Sequence, residues 1–387
     1  MKIGIIVPSF YPATIYGGPI FSIKSFCEEI ASENIKIDIM TTDMNGTNYL
    51  NVIKNKSIIF NENPNIRITY YKSCKKLNFI SFGLLFNLFN KIKTFDIVKI
   101  EDTFSVFVPF ALLISLILKK KIILSPRGVF AKNALFKNKL IKKLWIYFFI
   151  SPFKKKINWH ATSNNEKDDI NNYFSTKLNI KVIANGIEKP EIDIKRNDII
   201  KGILGNAYNK KSKYIIGLGR KHPIKRFDQL IDSFQFLSKD KFKLILVGSD
   251  DSGHEIFLKE KVKKNKQQSQ VFFYKNLEKK EKDQLLYESD LLVLPSLSEN
   301  FGNVVPESLI CGTPVIVSDK TPWHDLEENN VGLMINITPK NLSNSILKIL
   351  SKPKNKYFNN CIEYGKKYLI KSTIFNFKKK YCNLTHE

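Results

Sequence analysis

The stretch PSLSENFGNVVPESLICGTPVI, Pro295–Ile316, follows the apolar run Leu291–Leu294 and closes on a second short apolar run. It sets two carboxylates, Glu299 and Glu307, on either side of Asn300-Phe301-Gly302-Asn303. The pattern predicts a strand, a loop and then a helix that starts near Asn303, holds Pro306 in its first turn and stops at Gly312. Proline is tolerated there because a first-turn amide has no intrahelical partner, and glycine suits a left-handed C-cap. Gly302 lets the backbone approach a ligand closely. The amides of the helix start, with the dipole, make an anion site. Glu307 then stands beside the anion, suited to accept hydrogen bonds from a pair of sugar hydroxyls, while Glu299 on the loop meets a second set. The bland alternative has Glu307 complementing the dipole and Glu299 capping a loop.

Working outward, β-rich runs alternate with segments of helical period. Lys2–Val7, Ile35–Thr41, Ile66–Tyr71, Ile97–Ile100, Ile122–Leu124, Trp159–Thr162 and Val182–Ala184 read as strands. After the polar stretch NGIEKPEIDIKRND a second series follows: Tyr214–Leu218, Leu244–Val247, Val271–Tyr274, Leu291–Leu294 and Val315–Val317. Between strands, Phe21, Ile23, Phe26 and Ile30 recur at helical spacing, as do Phe227, Leu230, Ile231, Phe234 and Leu237. Such alternation implies parallel sheets with crossover helices, whose ligands sit at the carboxyl ends of strands. At 387 residues the chain suits two such domains. We expect two Rossmann-like domains, 1–188 and 189–365, whose ligand-binding strand ends face one another across a cleft, and a C-terminal helical segment, 366–387, returning to the first domain.

Lys and Arg number 62 against 36 Asp and Glu, a formal net charge of +26, so the surface should attract phosphates, nucleic acid or anionic lipid unless the excess is compositional drift. A nucleic-acid binder remains the alternative from a different class, but no base-stacking or groove-reading motif accompanies the charge. The five cysteines, Cys27, Cys74, Cys311, Cys361 and Cys382, lack the spacing of a disulfide framework or zinc site. A reducing cytoplasm is the simplest home, and MKIGIIVPSFYP reads as a first buried strand rather than a signal peptide. The longest apolar run, Phe104–Leu118, is shorter than a membrane span and contains Pro109, which predicts a buried helix.

Two further motifs leave strand ends. In IIGLGRKHPIKRFDQL, Gly217 and Gly219 end a strand, Arg220 and Lys225 stand on the following loop, and a helix begins near Arg226. Two cations at a strand end could neutralise a diphosphate without a metal, Arg by its planar fork and Lys as a point charge. This is not a dinucleotide fingerprint, because the third glycine is missing, and no P-loop sequence occurs. In YPATIYGGPIFSI, Gly17 and Gly18 lead into the first helix, where a phosphate or sugar could approach the backbone, or where the chain merely turns.

With its E-x7-E form followed by CGTPVI, and GRKHPIKRF some way before it, the chain resembles the family 4 glycosyltransferases of the GT-B fold, also called glycosyl transferases group 1. SPRGVF, HATSNNEKDDI, VIANGIE and TPWHDLEENNVGLMI resemble further stretches of that family. The resemblance implies transfer of a hexose from a nucleotide-diphosphate sugar, with retention at the anomeric carbon and no essential metal or other cofactor. Arg220 and Lys225 would hold the diphosphate, beside Gly219, and Glu307 the ribose. Glu299, with Phe301, Gly302, Asn303 and Val304, would hold the donor hexose. Gly17 and Gly18 match the amino-terminal glycine loop near the phosphates and acceptor; the resemblance implies that the domain over 1–188 is acceptor-binding and the domain over 189–365 donor-binding. The loop Ser125-Pro126-Arg127-Gly128 departs from the family where a histidine is common, placing Arg127 against the acceptor or a donor phosphate; Arg226 stands where glycine is usual, and Ala184 where proline is. Family habit points to polysaccharide or lipopolysaccharide assembly, and a GT-B sugar-nucleotide epimerase is the alternative within enzymes.

From Thr103 to Asn165 there is no Asp or Glu. There ALFKNKLIKKLWIYFFISPFKKK sets Lys137, Lys139, Lys142 and Lys143 among apolar residues that include Trp145, as expected of a helix lying in a membrane interface. Peripheral binding to anionic lipid at the inner face of the cell membrane is the expectation, against a core helix with solvated lysines.

Overall fold

The computed structural model describes residues 1–74, 80–131, 134–135, 139–195, 198–250 and 253–382. The chain divides into two compact units, Met1–Gly186 with Ile370–Glu387, and Ile187–Leu369. The divisions expected at 188/189 and 365/366 thus fall at 186/187 and 369/370. Ile187 pairs with Leu369 and donates its amide to the Tyr368 carbonyl at 2.8 Å, which ties both residues into the second unit.

In the first unit the strands are β1 (Lys2–Ile6), β2 (Lys36–Thr42), the short ribbon β3 (Met44–Asn45) and β4 (Asn48–Tyr49), then β5 (Ser57–Phe60), β6 (Asn63–Tyr71), β7 (Ile97–Ile100), β8 (Lys121–Leu124), β9 (Asn158–Ala161) and β10 (Ile180–Val182). Eight of them form one sheet in the order β10-β9-β8-β7-β1-β2-β6-β5, parallel except for β5. In the second unit β11 (Lys213–Leu218), β12 (Phe242–Val247), β13 (Val271–Tyr274), β14 (Leu291–Leu294), β15 (Val315–Ser318) and β16 (Gly332–Ile335) form an all-parallel sheet in the order β13-β12-β11-β14-β15-β16. Both sheets are doubly wound, so each unit is Rossmann-like. The near-continuous apolar runs follow from burial on both faces: every residue of β7 and β14 is buried.

The first sheet carries one core on each face. Helix Gly18–Ile30 turns Ile20, Ile23, Cys27 and Ile30 inward, so Phe21 lies exposed. Helix Ile370–Phe377 joins the same face, where Phe377 packs on Phe26 with ring centroids 4.8 Å apart and Tyr381 donates its hydroxyl to the Trp159 carbonyl at 2.7 Å. Gly186 abuts this helix so closely that a Cβ there would lie 2.7 Å from the Ile370 Cα. Helices Phe82–Lys93, Phe107–Ile117 and Lys139–Phe149 cover the opposite face.

The run expected as a buried helix is a helix buried on one side only. Phe107, Val108, Ala111 and Leu112 of Phe107–Ile117 are buried, but Phe110, Leu113 and Ile117 are exposed, because a helix packed on a sheet covers only one side of itself. Phe377→Ala should lower the stability of the first unit by about 3 to 5 kcal/mol. A shift of its urea midpoint, followed by the exchange of amides in β1 and β2, measures this.

Candidate functional site

In the second unit the chain moves from β11 toward β12 and β13, then returns to β14 and continues to β15 and β16. Strands β11 and β14 therefore flank the switch point, where neighbouring loops leave for opposite faces and open a crevice at the carboxyl edge. The two motifs singled out from the sequence are the loops after these two strands. Gly248, at the end of β12, sits at φ 148°, with the Gly219 carbonyl oxygen 1.9 Å from where its Cβ would be, so only glycine allows the strand ends to converge.

Of the four cations on the first loop, Arg220, Lys221 and Lys225 have three different fates. Lys221 is buried beneath it, donating to the Gly248 carbonyl at 2.5 Å and the Tyr274 carbonyl at 2.7 Å and pairing with Glu255 at 2.8 Å. It ties the ends of β12 and β13 under the loop. Arg220 is exposed and has no ion-pair partner among the described residues. Lys225 ends a 3-10 turn, Pro223–Lys225, and Arg226 follows in the left-handed region at φ 51° before helix Phe227–Ser233 begins. The residue standing where glycine is usual thus takes the conformation that glycine would.

Lys225 reaches across the switch point to Glu299, Nζ to Oε1 at 2.5 Å, and Ser296 donates its hydroxyl to the same oxygen at 2.6 Å. Two residues 74 positions apart in sequence are thereby brought together. Beyond Glu299, Phe301 is buried and its carbonyl accepts from the Trp323 indole at 2.6 Å. Gly302 lies at φ 79°, with Leu294, Trp323 and Glu299 about the open side. Helix Val304–Ile310 follows, with Asn303 at its N-cap, Pro306 buried in its first turn and Gly312 at φ 78° beyond its end, as the sequence suggested. The helix is seven residues long, and with Lys225 paired to Glu299 the exposed cation of the crevice that has no ion-pair partner among the described residues is Arg220.

Glu307 is held by a residue that sequence reasoning missed. Lys282, on helix Lys279–Glu288, pairs with Glu307 Oε2 at 2.9 Å. Burial works against the Lys282 charge, but the attraction of Glu307 prevails and raises its pKa. Nothing in KKEK marks this lysine among 62 basic residues; the crossover that returns the chain to β14 puts its helix beside the Glu307 helix.

At the carboxyl edge of the first sheet, β1 leads toward Gly17, at φ 70° as the N-cap of helix Gly18–Ile30, and Gly18 is exposed in the first turn. Arg127, itself at φ 58°, donates Nε to Glu101 at 2.7 Å and Nη1 to Asn185 at 2.8 Å. The other Glu101 oxygen pairs with Lys99, whose burial within β7 pushes its pKa well down, with Arg127 nearby adding to the effect. Burial likewise lowers Arg127 to about 10, against the pull of Glu166. His160 joins this network, with Nδ1 2.9 Å from the Ser125 hydroxyl and Nε2 3.0 Å from the Ile183 carbonyl. Burial, then Lys99 and Arg127, hold it neutral; Nε2 must carry the proton, and Nδ1 accepts. These groups line a small cavity with Ser22, Phe26 and Thr373. A lone lysine inside the apolar run IVKI was the available sequence signal.

The expected membrane helix is Lys139–Phe149, with Lys139 and Lys143 exposed. Lys142 donates to the Ala134 carbonyl at 2.6 Å and Trp145 to the Thr103 carbonyl at 2.8 Å, while Lys137 lies outside the described residues.

Residues 205–368 match the family Glycosyl transferases group 1. The chain as a whole has the GT-B fold class of two Rossmann-like domains. An uncharacterized 41.2 kDa protein in the cps region of Klebsiella pneumoniae is 26% identical over 295 residues, 74% of this chain and 78% of its own. Sucrose-phosphate synthase of Thermosynechococcus elongatus superposes with a TM-score of 0.75 at 17% identity, covering 99% of this chain and 98% of its own. Anabaena HepE, in complex with UDP, also scores 0.75 at 17% identity, over 99% of this chain and 100% of its own. At the level of class, the family match supports glycosyl transfer.

Lys221→Met should destabilise the second unit by about 1 to 3 kcal/mol, since it removes a charge-assisted donor from the Gly248 and Tyr274 carbonyls and leaves Glu255 with Lys259 alone. Burial tends to raise the Glu255 pKa, yet Lys221 and Lys259 hold it below the ordinary 4.5. A depressed carboxylate contributes stability above its unfolded pKa and loses it as pH falls through the folded value. Urea midpoints between pH 7 and pH 3 should therefore converge for wild type and variant as acid removes what the substitution has already taken.

Proposed function

We propose that this chain is a family 4 glycosyltransferase that moves a hexose from a nucleotide-diphosphate sugar to a glycan or lipid-linked acceptor, with retention, in the assembly of a cell-surface polysaccharide or lipopolysaccharide. The observation that carries the reading is the pairing of Lys225 with Glu299 across the β11/β14 switch point, with Arg220 exposed beside it and Glu307 on the next helix, all within the residues that match group 1.

The donor lies along that crevice in the proposed complex. Its diphosphate meets Arg220 and Lys225, the ribose hydroxyls donate to Glu307, and the hexose hydroxyls donate to Glu299 and meet the Phe301–Val304 backbone beside Gly302. Lys282 occupies one Glu307 oxygen and leaves the other to the ribose. Lys225 is the link between the two ends, since it touches the carboxylate assigned to the hexose while its charge faces the phosphates. Neutralisation of the departing diphosphate by Arg220 and Lys225 is the main catalytic effect, and no metal is assigned to the reaction. The departing phosphate oxygen accepts the acceptor proton in this scheme. HepE's complex with UDP and the cps-region relative support a nucleotide donor and a polysaccharide product. The first unit, with Gly17, Gly18 and Arg127 at its carboxyl edge, is assigned to the acceptor.

Arg220→Ala and Lys225→Ala should each reduce turnover about tenfold to a hundredfold without loss of fold, the worth of one charge-assisted phosphate contact. A thermal-shift panel of UDP, GDP, CMP and their sugars, followed by product analysis with and without acceptor, tests the assignment. Unchanged donor binding and turnover in both variants rule it out, and product from donor alone favours the epimerase.

The carboxylates should separate the ends of the donor. Glu307→Ala weakens the bare nucleotide diphosphate, whereas Glu299→Ala spares it and impairs the sugar-bearing donor. Because Glu299 and Lys225 hold one another, Lys225→Ala and Glu299→Ala should combine with an effect smaller than the sum of the two. Additive losses in calorimetric titration would dissolve the pairing as a functional unit.

A further inference from the structure

The three helices on one face of the first sheet each have two apolar sides. Helix Phe82–Lys93 buries Leu84, Leu88 and Ile92 but exposes Phe82, Phe86 and Phe89. Phe107–Ile117, which has no charged residue, exposes Phe110, Leu113 and Ile117. Lys139–Phe149 buries only Ile146 and exposes Leu140, Ile141, Leu144, Tyr147 and Phe148. Phe86 is 80% exposed and Leu140 70%. The three share one face because β6 to β7, β7 to β8 and β8 to β9 all cross the sheet in one direction with right-handed crossovers, and Phe82–Lys93 packs beside Phe107–Ile117. Their inward residues join a single core.

An apolar stripe repeated on the outward sides of three helices of one sheet face exceeds the scattered apolar residues of an ordinary surface. The charge around it selects the occupant. No Asp or Glu occurs from Asn63 to Phe95 or from Thr103 to Asn165, while Lys93, Lys119, Lys139 and Lys143 are exposed at the ends and flank of these helices. A second copy of this chain would bring like charges together; an anionic surface would not. No described helix is long and apolar enough to cross a membrane.

We propose that this whole face, and not the lysine-rich helix alone, is a docking surface for an anionic lipid leaflet. The phenylalanines and leucines enter the acyl boundary, the lysines meet headgroup phosphates, and Tyr147 lies at the level between. The inference goes beyond the donor-site reading and is independent of it, because it is measured with no donor present.

The experiment is sedimentation of the full chain with phosphatidylcholine vesicles, with and without phosphatidylglycerol, alongside light scattering of the protein alone. Binding should need the anionic lipid, weaken as salt rises, and fall about fivefold for each of Lys139→Gln and Lys143→Gln. Phe86→Gln with Phe110→Gln, on the two other helices, should lower it at least about tenfold while the unfolding midpoint stays unchanged, since both side chains lie outside the core. Equal binding to neutral vesicles or binding to neither kind overturns the proposal. So does full binding by the phenylalanine variant, or a dimer that this variant abolishes.

Discussion

A parallel sheet opens a crevice at its carboxyl edge where adjacent strands send their chains to opposite faces. In the second unit that place is the seam between β11 and β14, and the rest of the candidate site depends on it. The seam makes neighbours of two loops remote in sequence, so that Lys225 and Glu299 meet at 2.5 Å. It also sets the demand on the backbone. Gly219 and Gly248 must nearly touch for the strands to end together, and Lys221 lies under them as a further donor to the Gly248 and Tyr274 carbonyls.

Much of this was legible because the sheets are buried on both sides. Apolar runs such as LLVL and IVKI leave little choice of element, and β7, β13 and β14 begin and end where the residues predict. The edge strands β5 and β16 were missed. Ser57–Phe60 is half exposed and pairs antiparallel, and Gly332–Ile335 is short and follows a turn-rich loop, so neither has a long apolar run to announce it. In the site, the cations and carboxylates were readable one at a time from their places after strands, but their pairing was not, since contact across 74 residues is a property of topology. Lys282 had no local signature at all. The exposed side of Phe107–Ile117 was invisible for the opposite reason: a uniformly apolar segment has no phase from which to read an outward face.

The first unit answers the same demand with buried charge. Glu101 accepts Arg127 on one oxygen and Lys99 on the other, which fixes both cations near the ends of β7 and β8. Glu166 accepts the Gly128 amide at 2.6 Å and the Thr162 amide at 2.7 Å, binding the loop after β8 to the start of helix Asn164–Phe174. Removing any one member would leave another charge uncompensated in a dry setting, where the penalty far exceeds that of a surface pair. This cluster makes the Ser125–Gly128 loop a rigid element, with Arg127 aimed by its partners and not by solvent.

The chain leaves the first unit at Gly186 and returns at Ile370, with the whole of the second unit between. Residues needed for the first core, Ile370, Ile374, Phe377 and Tyr381, are therefore added only after the whole of the second unit. The second unit is contiguous and can close on itself as soon as Leu369 has emerged. The first, though begun earlier, must wait for its final helix with one face of its sheet incompletely covered. Synthesis order and completion order are thus reversed, and the nascent first sheet holds apolar surface open while the second unit is made, the condition in which aggregation competes with folding.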